Sequence, residues 1–172
     1  MHTELHWIGG PWRGRLAVAA RPRGGDWIED EIRAWRNAGV DVIVSLLTSQ
    51  ESADLDLEGE GEACRAAGIE FISFPIEDRT FPQSDAAAMG LVGKLASLLD
   101  RGHNTVAHCR QGIGRSSLIA IGTLLYEGSN LNAALAAVGR ARGMEVPETP
   151  GQLHWLVHFE SIRDRARITP TR

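Results

Sequence analysis

The chain has 172 residues, with 22 acidic and 18 basic side chains for a formal net charge of −4, and it has two cysteines. This length predicts one domain over residues 1–172, with a core of roughly residues 16–165. The acidic balance argues against a nucleic-acid partner, the longest apolar runs fall short of the ~18 residues of a membrane span, and two cysteines cannot form a disulfide framework.

The first part of the chain alternates short apolar runs with helical patterns. Strands are predicted over Leu16–Ala19, Val40–Leu47 and Ile69–Phe74. The second of these runs is rich in β-branched residues, which is typical of a buried strand, whereas the first is short and fits an edge strand. Helices are predicted over residues 26–39, 58–67 and 84–99. A capping box at Asp26 and Glu29 opens the first helix, and Ser84 caps the third.

The second part of the chain begins with the very short predicted strand Thr105–His108, which leads directly into a glycine-containing loop. Residues 116–126 are almost wholly apolar and predict a helix that is buried on most sides. Asn130 caps the next helix, and the Thr149-Pro150 pair opens a last helix that reaches about residue 165.

This order of elements predicts a single α/β domain with a mostly parallel central sheet flanked by helices. The helices at the C-terminal end are expected to pack mainly on one side of the sheet. In such folds, ligands bind beyond the carboxyl ends of the strands. The functional site is therefore expected in the loops after Leu47, after Phe74 and after His108.

The segment after the last predicted strand reads HCRQGIGRS, from His108 to Ser116. Gly112 and Gly114 allow the backbone to take positive φ, so that successive amides can point inward as a nest for an anion. The following helix adds its N-terminal amides, and such surroundings favour the thiolate form of Cys109. Arg115 can offer two parallel N–H donors to a phosphate. A small buried cysteine at a strand end would account for Cys109 alone, so the whole segment predicts a catalytic loop.

The pattern His-Cys-x5-Arg-Ser resembles the signature of the cysteine-based protein tyrosine phosphatases, and the short chain is most similar to their dual-specificity-like branch. The resemblance covers roughly residues 40–160 and implies a protein-tyrosine-phosphatase-like fold. It also implies a phosphocysteine intermediate, formed when Cys109 attacks phosphorus while Arg115 and the loop amides bind the phosphate oxygens. By the same resemblance, Ser116 stabilises the thiolate as leaving group, His108 supports the loop by hydrogen bonding, and neither a metal nor a cofactor is required. The expected phosphate-binding residues are Arg110, Gln111, Gly112, Ile113, Gly114 and Arg115.

Such a mechanism needs an acid that protonates the departing oxygen. In the family this acid is an aspartate on a mobile upstream loop, and here the segment PIEDRTFP follows a predicted strand. The resemblance identifies Asp78 as the acid, with Glu77 as the alternative. The same residues would also suit a solvated turn, because Asp, Thr and Pro are common turn formers. Arg79 either attracts phosphate or is simply solvated.

Several further residues have weaker signals. Gln152, in the first turn of the last helix, resembles a family glutamine that positions the hydrolytic water, although a glutamine is ordinary at that place. Arg140 and Arg142 either reach the substrate or serve only as cations at a helix C-terminus. Cys64 is expected to be a small, partly buried residue, and a redox role through a disulfide with Cys109 is the minority hypothesis.

The sequence also bears on rival functions. A rhodanese-type loop has one residue fewer between cysteine and arginine, and low-molecular-weight phosphatases carry their acid after the cysteine rather than before it. A catalytically inactive phosphate-binding module remains as an alternative. Phosphorylated proteins or peptides are the expected substrates, and a phosphoinositide is the alternative, which is weakened because only Arg110 is basic within the loop. The N-terminus lacks the order of a signal peptide, and two cysteines suit a reducing compartment, so a cytoplasmic protein without nucleic-acid or membrane partners is expected.

Overall fold

The computed structural model describes residues 2–168, and five segments of this range form one sheet. The strands are β1 (Leu5–Ile8), β2 (Leu16–Ala20), β3 (Val42–Ser45), β4 (Glu70–Ser73) and β5 (Thr105–Cys109). Their order in the sheet is β1-β2-β5-β3-β4, with β1 antiparallel to β2 and every other neighbouring pair parallel. The predicted α/β fold with a mostly parallel sheet is therefore confirmed.

Three of the helices begin where their capping residues predict. The helices are α1 (Ile28–Asn37), α2 (Ser49–Asp54), α3 (Glu60–Ala66), α4 (Asp85–Asp100), α5 (Arg115–Glu127), α6 (Leu131–Arg142) and α7 (Pro150–Ile168). Side-chain oxygens of Ser84, Asn130 and Thr149 accept a backbone N–H from the first turns of α4, α6 and α7. None of the helices within residues 2–168 is both long and apolar enough to cross a bilayer.

The alternation of side chains along the strands divides the core between the two faces of the sheet. On one face, Ile43 and Val106 pack with α1 and α3, whereas on the other Val44 and Ala107 pack with α4 and α5. Helices α6 and α7 extend the second face, where they pack with α5 and β2. The predicted one-sided packing of the C-terminal helices is therefore confirmed.

Three features of the N-terminal part differ from expectation. The strand predicted at the edge is internal, because β1 pairs with its free side and itself forms the edge. The core consequently begins before residue 16, with Ile8 and Trp12 both buried. The α-helix predicted to start from a capping box at Asp26 instead follows a 3₁₀ turn over Gly25–Trp27, without a side-chain cap at Trp27.

The displaced start of α1 has a cause in the tertiary structure. Gly25 has a φ of +58° and donates its N–H to the carbonyl oxygen of Asp56 at 2.8 Å. The backbone of Gly24 packs so tightly against the same loop that a Cβ there would lie 2.1 Å from the Leu55 carbonyl oxygen. This contact fixes the path of the chain into α1, and it outweighs the local capping preference of Asp26.

Candidate active site

The loops after β3, β4 and β5 converge on the guanidinium of Arg115, which opens helix α5. Glu51 on α2 follows β3 and accepts two hydrogen bonds from Arg115, at 2.7 and 2.9 Å. The loop after β4 contributes the carbonyl oxygen of Ile76, at 2.8 Å, and the carboxylate of Asp78, at 2.9 Å. The prediction that these three loops form one site is supported by this convergence, which places the candidate acid beside the candidate phosphate-binding arginine.

Arg115 is held in place by an almost complete set of protein partners. Its side chain is only 2% exposed, whereas Asp78 is 53% exposed. Burial alone would lower the pKa of Arg115, but the hydrogen bonds with Glu51 and the charges of Cys109 and Glu51 outweigh burial and raise it above its ordinary value. The guanidinium is therefore a fixed positive charge, with Glu51 as its buried counterion and Asp78 as the counterion at the open side.

Sequence reasoning missed Glu51, although the sequence holds a signal for it. Thr48 and Glu51 form a capping box at the start of α2, in which each side chain accepts the other residue's backbone N–H. The pattern Thr-x-x-Glu directly after a buried strand therefore predicts a helix start at the carboxyl edge of the sheet. The capping box also orients the carboxylate that binds Arg115.

The Cys109 loop places a backbone donor and a hydroxyl group beside the sulfur. The Gly112 N–H donates to Cys109 Sγ at 3.3 Å, and Ser116 Oγ lies 3.5 Å from the same sulfur. Gly112 has a positive φ, +69°, and a Cβ there would lie 2.3 Å from the carbonyl carbon of Ala19 in β2. Glycine is therefore required at this position by both conformation and space.

Gly114 does not use the freedom to take positive φ, since its φ is −81°. The absence of a side chain at Gly114 instead leaves space for neighbouring side chains. A Cβ there would lie 2.9 Å from both Gln152 Nε2 and Glu148 Oε2, which cover the loop from the side of α7. These two side chains need the space that a glycine leaves beside the start of α5.

Arg142, at the end of α6, holds the loop from outside the pocket. It donates from Nε to the carbonyl oxygen of Gly112 and from Nη2 to that of Gln111, at 2.6 and 3.2 Å, and its Nη1 lies 3.0 Å from His6 Nε2. In a trans peptide the C=O and N–H point in opposite directions, so a Gln111 carbonyl that faces outward turns the Gly112 N–H inward, towards the sulfur of Cys109. Arg142 is thus a positioning residue for the loop amides rather than a residue that reaches the substrate.

A cavity of about 120 Å³ opens above Cys109. Its walls include the predicted site residues Asp78, Arg110, Gln111, Gly114 and Arg115, and two further residues, Arg79 and Glu148. The Ile113 side chain instead packs towards the core beneath the loop. Glu77 does not line the cavity, so the geometry favours Asp78 over Glu77 as the acid.

The loop that carries Asp78 is tied to the start of α7. Arg79 pairs with Glu148 at 2.9 Å, and Gln152 Nε2 donates to the carbonyl oxygen of Thr80 at 3.0 Å. Gln152 is fully buried, and its Oε1 accepts the backbone N–H groups of Glu148 and Thr149. In this conformation Gln152 completes the cap of α7 and braces the acid loop.

His108 lies on the opposite face of the sheet from Cys109, because consecutive strand residues alternate. Its Nε2 is 2.8 Å from Glu60 Oε1, but the two atoms are not aligned as a hydrogen bond. The ring also makes an edge contact with Trp35. Neither ring nitrogen has a hydrogen-bond partner within residues 2–168, so the expected hydrogen bond from His108 to the loop is corrected to a packed support beneath it.

Both cysteines are free thiols, but only one lies at the site. Cys64 is buried in the core on the α1 and α3 face, whereas Cys109 belongs to the core on the α4 and α5 face. Burial, together with the nearby charge of Glu60, raises the pKa of Cys64 to about 12. These surroundings favour the structural interpretation of Cys64 over the redox one, because a buried, protonated thiol is a poor nucleophile.

A cysteine ends a central parallel strand, a loop amide donates to its sulfur, and an arginine is fixed at the start of the following helix. These features are typical of a cysteine-based phosphatase. Comparison with known families agrees. The chain belongs to the Tc-R-P family, described as "Polymorphic toxin system, DSP-PTPase phosphatase", whose model matches residues 17–129. It is thus a cysteine-based protein phosphatase of the dual-specificity-like branch. No curated protein sequence matches the chain.

Solved structures show the same fold. Kinase associated phosphatase (KAP), with its catalytic-site cysteine replaced by serine, superimposes with a TM-score of 0.84 at 20% identity, over 95% of this chain and 97% of that one. Tk-PTP in its active form has a TM-score of 0.72 at 27% identity, over 86% and 92% of the two chains. PTPMT1 in complex with PI(5)P has a TM-score of 0.74 at 18% identity, over 95% and 99%.

Proposed function

We propose that this phosphatase hydrolyses phosphomonoesters of proteins or peptides through a phosphocysteine intermediate on Cys109. The observation that carries the proposal is the position of the Cys109 sulfur at the cavity, where the Gly112 N–H donates to it at 3.3 Å beside the fixed guanidinium of Arg115. A cysteine sulfur beside an amide donor and a guanidinium lies in the electropositive setting that is typical of nucleophilic cysteines. The same donors bind the phosphate on which that sulfur acts.

In the first step, the Cys109 thiolate attacks phosphorus, and the bond from phosphorus to the ester oxygen breaks. Arg115 and the loop amides bind the remaining phosphate oxygens, with Arg110 and Gln111 at the rim of the cavity. The phosphate replaces the carboxylate of Asp78 as the open-side partner of Arg115. The displaced Asp78 takes up the proton of the phosphate monoanion and then donates it to the departing oxygen, so that the product leaves as a neutral alcohol or phenol.

In the second step, water attacks the phosphocysteine, Asp78 accepts a proton from that water, and the bond from phosphorus to sulfur breaks. Ser116 Oγ, 3.5 Å from Cys109 Sγ, stabilises the thiolate that leaves. Positioning of the water by Gln152 would require its amide to leave the hydrogen bonds it makes with Thr80 and Thr149. The cycle ends with free phosphate and the original thiolate.

The nucleophilic sulfur of Cys109 must stay reduced, which suits the reducing cytoplasm that we expect for this protein. A thiolate of this kind is readily oxidised. The proposal therefore predicts that activity is lost on treatment with peroxide and is regained with a thiol reductant when oxidation has stopped at the sulfenic acid or a disulfide.

The experiment that tests the function is turnover of p-nitrophenyl phosphate in the presence of a chelator. Wild-type protein is expected to be active and Cys109→Ser inactive, while Cys64→Ser serves as the matched control that keeps its activity. Asp78→Ala is expected to slow hydrolysis of alkyl phosphates more than that of p-nitrophenyl phosphate, because a good leaving group needs less protonation. Inactive wild-type protein, or substantial activity in Cys109→Ser, would refute the proposal.

Substrate class is tested with phosphotyrosine, phosphoserine and phosphothreonine peptides beside dispersed phosphoinositides. We expect the highest kcat/KM on phosphopeptides. Higher kcat/KM on phosphoinositides would contradict the protein-substrate part of the proposal and leave the phosphocysteine chemistry standing. Phosphate binding without turnover on any of these substrates would instead identify an inactive phosphate-binding module.

A further inference from the structure

A second hollow lies beside the phosphate cavity and is larger than it, at about 720 Å³ against about 120 Å³. It is a groove between α6, the N-terminal turn of α7 and the segment that joins them. Its apolar walls are formed by Leu135, Ala136, Gly139, Met144, Val146, Pro147, Pro150 and Leu153. We call this hollow the flanking groove.

Two of its apolar side chains face solvent to an unusual degree for their size. Met144 is 43% exposed and Leu153 is 38% exposed. Burying such a side chain against a ligand is favourable in proportion to the apolar area removed from water. The flanking groove thus offers a preformed apolar surface that no other part of residues 2–168 covers.

The flanking groove adjoins the phosphate cavity. Glu148 lines both hollows, and its pairing with Arg79 at 2.9 Å fixes the wall that they share. A substrate with its phosphate at Cys109 can therefore reach the flanking groove with the residues that neighbour the phosphorylated one. This adjacency links the groove to the substrate of the same site.

The charged residues of the flanking groove bear on whether that substrate is a peptide or an anionic lipid. Of the charged residues Glu145, Glu148 and Arg140, Glu148 is already paired with Arg79. Glu145 is exposed and can therefore pair with a basic side chain. A peptide can present an apolar residue and a basic residue in succession, whereas an anionic lipid presents only its acyl chains without a cation.

We propose, on the basis of the phosphatase function proposed above, that the flanking groove binds the substrate segment next to the phosphorylated residue and selects an apolar side chain with a basic neighbour. The apolar side chain packs against Leu153 and Met144, and the basic one lies towards Glu145. The groove then determines sequence preference through KM, while Cys109 and Arg115 determine the chemistry.

The test uses phosphotyrosine peptides in matched pairs, with leucine or serine at each flanking position in turn. At one or more positions, leucine is expected to raise kcat/KM about tenfold over serine. Leu153→Asp should remove that preference through KM, and Val157→Asp should retain it. Val157 is the matched control because it lies one turn further along α7, is 52% exposed and does not line the groove. Met144→Glu should have the same effect on the preference as Leu153→Asp. Because Met144 lies outside α7, this agreement would show that the loss does not come from a local disturbance of that helix.

The small substrate p-nitrophenyl phosphate separates this inference from the function on which it rests. If wild-type protein does not hydrolyse it, the proposed function fails, and this inference fails with it. If it is hydrolysed but leucine has no effect at any position, or if Leu153→Asp and Val157→Asp lower peptide kcat/KM equally, only the flanking groove is overturned. A loss confined to dispersed phosphoinositides in Leu153→Asp would also overturn it, in favour of a lipid.

Discussion

Replacing Glu51 with glutamine tests whether the position of Arg115 depends on a buried counterion. Glu51 accepts two hydrogen bonds from a guanidinium that is 2% exposed, while Glu51 itself is 12% exposed. Breaking a buried ion pair costs about 3–5 kcal/mol. Arg115 retains Asp78 and the carbonyl oxygen of Ile76 in the variant, so about 2 kcal/mol is expected for the lost charge and one lost charge-assisted hydrogen bond.

This energy should appear in both catalysis and stability. A loss of about 2 kcal/mol in transition-state stabilisation corresponds to about a 30-fold lower kcat/KM on p-nitrophenyl phosphate. Urea unfolding should show a stability lower by a similar amount at neutral pH. Asp54→Asn removes one negative charge from an exposed position of the same helix, α2, and should change neither quantity.

The pH dependence gives a further check on Glu51. Burial alone would raise its pKa, but the hydrogen bonds from Arg115 and from the Thr48 backbone outweigh burial and lower it. A carboxyl whose folded-state pKa lies below its unfolded value stabilises the fold above the unfolded pKa, and this stabilisation is lost as the pH falls through the folded pKa. Glu51→Gln should therefore lose stability less steeply in acid than wild type. Activity and stability equal to those of wild type would refute the role of Glu51.

Three other changes test the loop and the fold. Gly112→Ala should lower kcat/KM at least 100-fold, because the added Cβ would clash with the backbone of Ala19. Gly68→Ala is the control, since Gly68 has a similar φ of +72° but open space around it, and this variant should lose stability without losing activity. Arg142→Ala should lower kcat/KM on p-nitrophenyl phosphate about 10- to 100-fold by releasing two loop carbonyls, and an Arg142→Ala variant as active as wild type would contradict that role. Burial would raise the pKa of Glu31, but hydrogen bonds from Thr3, Arg23 and His2 outweigh it and lower this pKa from 4.5 to about 2. Glu31→Gln should therefore lower the free energy of unfolding by about 3 kcal/mol at pH 7. Measured by urea unfolding, the stability of this variant should also decline less between pH 4.5 and pH 2 than that of wild type.

The predicted elements succeeded where local sequence determines structure. The caps Ser84, Asn130 and Thr149 define helix starts because each satisfies backbone N–H groups of its own first turn. The edge strand was misassigned because β1 is short and only partly buried, so its apolar alternation is weak. Residues 16–19 are completely buried, and apolar side chains on both faces are the better indicator of an internal strand.

The site residues likewise differ in whether the sequence alone predicts them. The residues from Cys109 to Ser116 are consecutive in the chain, so their types and spacing alone predict the chemistry of the loop. Glu51, Arg142 and Glu148 lie far from it along the chain, and only the fold brings them to the loop. The need for a glycine at position 114 has a similar origin, since it comes from the space taken by Gln152 and Glu148 and not from the backbone conformation of Gly114 itself.

The central claim is that phosphate passes through the sulfur of Cys109, and trapping the intermediate tests it most directly. Asp78→Ala protein is mixed with a radiolabelled aryl phosphate that has a good leaving group, and the reaction is quenched in denaturant. Because the variant lacks the base for the second step, the label should accumulate on the protein and map to the peptide that contains Cys109. Absence of covalent label during turnover, or label that persists when Cys109 is also replaced by serine and maps elsewhere, would contradict the account.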